Sequence, residues 1–165
     1  MKKAMIVGDK TKQREYENIL RMLTEIFKEK DFQVKTIMFG EMGRPDHAYF
    51  AEMQEYDGDY ICSLDMAGFQ MNTLLECTGY NLLYAKQMHI VIDEQCFVKY
   101  AEGKFAISLY FFLPGSVGKW QKRYPHISNI VAYEKMNSKD ADREILQNMV
   151  DYFLDETEKK WEDER

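Results

Sequence analysis

Short apolar runs alternate with stretches of helical periodicity along almost the whole chain. Residues 3–7 form the first run, closed by Gly8 and Asp9. Residues 33–39, 60–64, 89–92, 106–112 and 127–133 read as further strands, several rich in β-branched and aromatic side chains. Within residues 12–30, Tyr16, Ile19, Leu20, Leu23, Ile26 and Phe27 recur at helical spacing and predict one apolar helix face. Residues 47–56 predict a short helix with Phe50 and Met53 inward. A helix from about Phe69 carries Met71, Leu74, Leu75 and Leu82, with Gly79 as a candidate break. Residues 93–104 are less regular, with room for one helical turn. Residues 117–123 predict a short helix stopped by Tyr124-Pro125. A last helix, about residues 140–160, starts behind Ser138 or Asp140 as cap and aligns Ile145, Leu146, Met149, Val150, Phe153 and Leu154.

Strand alternating with helix in this way predicts an α/β domain. The expected form is a Rossmann-like open, mainly parallel sheet of five to six strands with helices on both faces. Residues 59–93 carry the clearest unit. An apolar strand runs into Asp65, read as exposed, then a Gly-containing turn opens a helix and a second apolar strand follows. That is a crossover of the parallel kind. Ligands of such sheets sit beyond the carboxyl ends of the strands, so the segment from Asp65 to Phe69 is the expected site.

The chain has 165 residues, with 45% hydrophobic and 30% charged, and reads as one soluble domain over residues 1–165. The formal charge is -6, and residues 138–165 hold ten acids against five bases, so the acidic excess lies on the last helix. No basic stripe suits nucleic acid. Cys62, Cys77 and Cys96 are odd in number and widely spaced, which fits a reducing cytoplasm. The apolar run before Gly8 is too short for a signal peptide core, and no stretch approaches the roughly 20 apolar residues of a membrane span.

Two turns offer candidate ligand contacts. Gly8, Asp9, Lys10 and Thr11 follow the first strand. They match neither a dinucleotide GxGxxG nor a P-loop, yet backbone amides with Lys10, Thr11 and Lys12 could hold an anion. Otherwise Asp9 or Thr11 caps the helix. In the second turn, Asp65, Met66, Gly68 and Phe69 allow two readings: Asp65 accepts from ligand hydroxyls while Gly68 admits a ligand to the backbone, or Asp65 caps the helix and Gly68 eases the turn. His47, His89 and His126 lack zinc spacing, so no metal is expected. Cys62 reads as a core residue. Lys119, Lys122 and Arg123 cluster at a helix end and read as a solvated face. A phospho-acceptor receiver site fails at three positions, since single Asp9, Asp93 and Leu113-Pro114-Gly115 stand where its paired acids, hydroxyl and Lys-Pro belong. The first turn also lacks the hydroxyl-rich loop of a flavodoxin-type flavin site, and no cofactor is expected.

The runs DYICSLDMAGF with YNLLYAKQMHIVID, and FFLPGSVGKWQKRYPHISNIVAYE, resemble the N-terminal Rossmann-like half of bacterial GT-B glycosyltransferases. The shared features are Asp65, Gly68 and Phe69 in an Asp-x-x-Gly-Phe turn, and Tyr124, Pro125 and Ile127 after a short helix. The resemblance implies an acceptor-side domain that takes a sugar or lipid-linked acceptor along the Gly8, Gly40 and Asp65 loops. Sugar transfer would then need a second Rossmann-like chain, because no donor-binding half is present within these residues. It implies either an enzyme half, a non-catalytic relative or an excised domain, and it assigns no catalytic residue. The competing expectation is a non-enzymatic small-molecule-binding or homo-oligomeric assembly domain, with Tyr110, Trp120 and Trp161 as exposed aromatic anchors.

Overall fold

The computed structural model describes residues 1–78, 86–103, 107–113, 116–132 and 143–163. The strands are β1 (Lys3–Asp9), β2 (Gln33–Phe39), β3 (Tyr60–Leu64), β4 (Lys86–Val91), β5 (Leu109–Phe112) and β6 (Ile130–Ala132). The helices are α1 (Gln13–Glu29), α2 (Asp46–Tyr56), α3 (Asp65–Thr78), α4 (Phe97–Glu102), α5 (Val117–Arg123) and α6 (Arg143–Asp163). Short 3-10 turns at Lys10–Lys12 and Glu94–Cys96 lead into α1 and α4.

All six strands run parallel in the order β2-β1-β3-β4-β5-β6. This is the expected Rossmann-like open sheet. Strand alternation decides the two faces. Ala4, Ile6, Cys62, Leu64, Met88, Ile90 and Phe111 meet α1 and α6 on one face. Met5, Val7, Ile37, Phe39 and Ile61 meet α2 and α3 on the other, and Val91, Tyr110 and Phe112 meet α4 and α5. The predicted faces of α1 and α6 are the buried ones, and Cys62 lies in the core. In α2, Met53 is buried as expected and Phe50 packs half-buried against the same cluster, but the fully buried aromatic is Tyr49. Tyr49 stacks on Phe39 with ring centroids 4.6 Å apart.

Four boundaries differ from expectation for local reasons. Helix α3 starts at Asp65 rather than near Phe69, because Asp65 takes a left-handed backbone (φ 43°) that turns strand directly into helix without a loop. Strand β4 starts at Lys86, as polar Gln87 is buried and pairs with Ile61. Strands β5 and β6 are shorter than predicted. Asn129 just before β6 donates its side-chain amide to the carbonyls of Ile107 (2.7 Å) and Ser108 (3.2 Å) just before β5, which satisfies backbone there by a side chain. Gly79, Leu82, Pro114, Gly115, Ser138 and Asp140, and the side chains of Cys77 and Trp161, lie outside the described residues.

Two of the three aromatic anchors, Tyr110 and Trp120, are core residues. Trp120 is 0% exposed and Tyr110 is buried, both packed around Phe97. Trp120 lies parallel to Tyr124, and Lys119 and Arg123 of the basic cluster sit over its ring. Large rings here fill the space between β5 and α4–α5 rather than offering a surface.

Candidate functional site

The sheet order reverses between β1 and β3, so the loops beyond their carboxyl ends flank the topological switch point. Asp65 follows β3 there and opens α3, and the structure corrects its expected exposure: it is 4% exposed. Its carboxylate accepts from the Tyr16 hydroxyl of α1 (2.6 Å), the Ile92 N–H (2.8 Å) and the Asp93 N–H (3.1 Å). Its backbone carbonyl accepts from the Tyr100 hydroxyl (2.8 Å). Asp65 thus ties α1, the turn after β4, and α4 to the end of β3. Tyr16 and Asp65 are buried against each other beside the switch point. Burial raises the Asp65 carboxyl to about 6 although Tyr16 and the two amides pull it down.

Gly68 is not a ligand approach either. A Cβ there would lie 2.8 Å from Ser63 Cβ and closer still to the hydroxyls of Ser63 and Tyr100. The missing side chain lets α3 lie on these two groups. Phe69 is half-buried and meets Tyr100 edge-on, and Met66 is half-buried. The Asp65–Phe69 turn is therefore internal framework.

The turn after β1 stays near the surface. Gly8 is buried, and its lack of a side chain admits Met38 and Leu20. Asp9 Oδ1 accepts from the Thr11 N–H (2.9 Å) and hydroxyl (2.7 Å), the capping arrangement foreseen as one alternative. Lys10 and Thr11 are exposed. Replacing Asp9 with Ala removes both bonds, and the expected loss is about 1 kcal/mol, read as a lower midpoint in urea unfolding with an unchanged slope.

The open space lies one step along the sheet. Gly40 follows β2 with φ 80°, and a Cβ on it would sit 3.0 Å from Asp9 Oδ1, so the loops after β1 and β2 touch. Arg44 fixes the second loop. Its guanidinium lies 4.4 Å from the Tyr49 ring centroid and pairs with Glu52, and Tyr49 accepts from the Glu41 N–H (3.0 Å). Between this loop, α2 and α3 is a cavity of about 380 Å³. Phe39, Gly40, Tyr49 and Leu74 line it, and Glu41, Arg44, Asp46, Gln70 and Thr73 add polar groups. Residues 40–46 are the one predicted ligand loop that contributes to it. Gln70 and Thr73 escaped sequence reading, although their spacing of three on α3 beside buried Met71 and Leu75 puts them on its outer side.

A second polar group is buried beneath α3 and α4. Ser63 Oγ lies 2.8 Å from His89 Nδ1, and no partner of His89 Nε2 is found among the described residues. His89 is 0% exposed and its ring centre is 4.0 Å from that of Tyr100. Burial drives the imidazole down to about 3, so it stays neutral at neutral pH. Among the described residues no cluster of three or more His, Cys, Asp or Glu could hold a metal ion, and no helix is long and apolar enough to cross a membrane. Comparison with protein-family models finds no match, and neither does comparison with curated proteins.

Proposed function

We propose that this chain is a glycosyltransferase-like domain supplying the acceptor side of a GT-B type site, completed by a second Rossmann-like chain. The cavity between the 40–46 loop and α3 carries the proposal. It opens beyond the carboxyl end of β2, on the side of the sheet where parallel α/β folds place ligands. It also combines an apolar floor with two carboxylates, a guanidinium, an amide and a hydroxyl that suit sugar hydroxyls. Its location fits one of the three acceptor loops implied by the family resemblance. Asp65 holds the framework in this reading and touches no acceptor, so the acceptor contacts pass to Gln70, Thr73, Glu41 and Asp46. Of the three aromatics that motivate the assembly-domain alternative, Tyr110 and Trp120 are buried, which weakens that reading.

The test is a tagged pull-down from the native host, with the eluate sized by light scattering and identified by mass spectrometry. A stoichiometric partner carrying a second Rossmann-like domain is expected. The pair should then transfer sugar at a rate that Gln70→Ala with Thr73→Val cuts at least tenfold, while the melting temperature holds. A lone chain, or a pair whose transfer ignores the double substitution, overturns the proposal.

A further inference from the structure

We infer that the acceptor taken by this cavity carries a cationic amino group, as in an amino sugar, and not a phosphate; this rests on the acceptor reading above. Charge decides it. Two carboxylates, Glu41 and Asp46, line the cavity against one guanidinium, Arg44. Arg44 is already committed. It pairs with Glu52, approaches Glu41 at 3.8 Å, reaches the Ala48 carbonyl at 3.5 Å and lies over the Tyr49 ring. Glu52 is itself held by Lys35 at 3.3 Å, and the paired cations hold its carboxyl below the usual range. Asp46 has no ion pair among the described residues, so the lining carries an unspent negative charge.

The neighbouring cations do not reverse this. Lys10 and Lys12 belong to the loop after β1 and are not among the described residues lining the cavity, and Lys12 lies 3.7 Å from Glu15. A phosphate entering would meet two carboxylates and would have to draw Arg44 from Glu52. An ammonium would meet acceptors on Glu41 and Asp46, leaving ring hydroxyls to Gln70 and Thr73.

The experiment is a titration of the chain followed by amide chemical shifts at pH 6.5, with methyl glucosaminide, methyl glucoside and glucose 6-phosphate as probes. Shifts at Gln70, Thr73 and residues 40–46 report the cavity. The aminoglucoside is expected to bind roughly twofold to fivefold tighter than the neutral glucoside, the range open to partly exposed charge pairs. Salt should narrow the gap. Glu41→Gln with Asp46→Asn should erase the difference between the amino and the neutral glucoside, whatever it does to the affinity the two share. Equal binding of amino and neutral sugars, tighter binding of the phosphate, or a preference that survives the double substitution overturns the inference alone. No shift with any sugar overturns the acceptor reading as well.

Discussion

Gly68→Ala is expected to cost this fold about 2–4 kcal/mol, beyond what a helix surface would predict, because overpacking a filled site forces its neighbours apart. Alanine normally improves a helix over glycine by about 1 kcal/mol, so the sign itself is diagnostic. The new methyl would fall on the hydroxyls of Ser63 and Tyr100 and 2.8 Å from Ser63 Cβ. Ser63 cannot retreat, since its Oγ is bound to His89 Nδ1 inside the sheet. Nor can Tyr100 move freely, since its hydroxyl donates to the Asp65 carbonyl and its ring lies on His89. Helix α3 would have to lift from β3, and with it the cavity wall formed by Gln70 and Thr73. Thermal unfolding should show a midpoint lower by roughly 5–15 °C, from the usual 2–4 °C per kcal/mol at this chain length. A matched Gly118→Ala control should be neutral or better, because a Cβ on that exposed α5 glycine meets nothing within 4 Å. A Gly68→Ala protein as stable as wild type would mean that α3 does not sit on Ser63 and Tyr100.

The framework was legible in the sequence where one physical signal dominated. The apolar faces of α1 and α6 follow from periodicity, and the parallel sheet follows from strand–helix alternation. The site was legible only as a place. Residues 65–69 were readable as a strand-to-helix junction at the carboxyl end of the sheet, but the inference that Asp65 faces outward assumed an open switch point. Tyr16 overturns it. Read only for its apolar face, α1 gives no sign that this phenol reaches a carboxylate forty-nine positions on. The Gly68 signal was likewise ambiguous, because a glycine that admits a ligand and one that admits a neighbouring hydroxyl look the same in sequence. Tyr110 and Trp120 were misplaced for the converse reason. Amphipathic aromatics serve at interfaces and in cores alike, and tertiary packing around Phe97 chose the core. Gln70 and Thr73 became visible only when the 40–46 loop was placed opposite α3.

Replacing Asp65 with Asn should convert a chain with little net response to mild acid from its two buried titrating groups into one that is acid-labile. Asp65 and His89 lie close in the same structure, joined through Tyr100, and their linkages to pH oppose each other. The Asp65 carboxyl moves from 3.8 to about 6 on folding. The folded state therefore holds the proton more tightly, and the stability this contributes is full below about pH 4 and lost as pH rises through 6. At 1.36 kcal/mol per pH unit, that is about 3 kcal/mol gained on acidification from pH 7 to 4. The His89 imidazole moves from 6.5 to about 3, so the unfolded chain binds its proton first. Stability from His89 is full above pH 6.5 and falls by about 3 kcal/mol by pH 4. The two contributions offset each other across that interval. Asparagine keeps an acceptor for the Ile92 and Asp93 amides and an amide facing the Tyr16 hydroxyl, so the fold at pH 7 should survive. Without the offset, urea unfolding at pH 4 should place Asp65→Asn about 3 kcal/mol further below wild type than at pH 7. His89→Gln should shift the opposite way, gaining on wild type by a similar amount as pH falls. Parallel pH profiles for wild type and both variants would show that neither group is buried as described, and that the buried Tyr16–Asp65 hydrogen bond is not the resting arrangement.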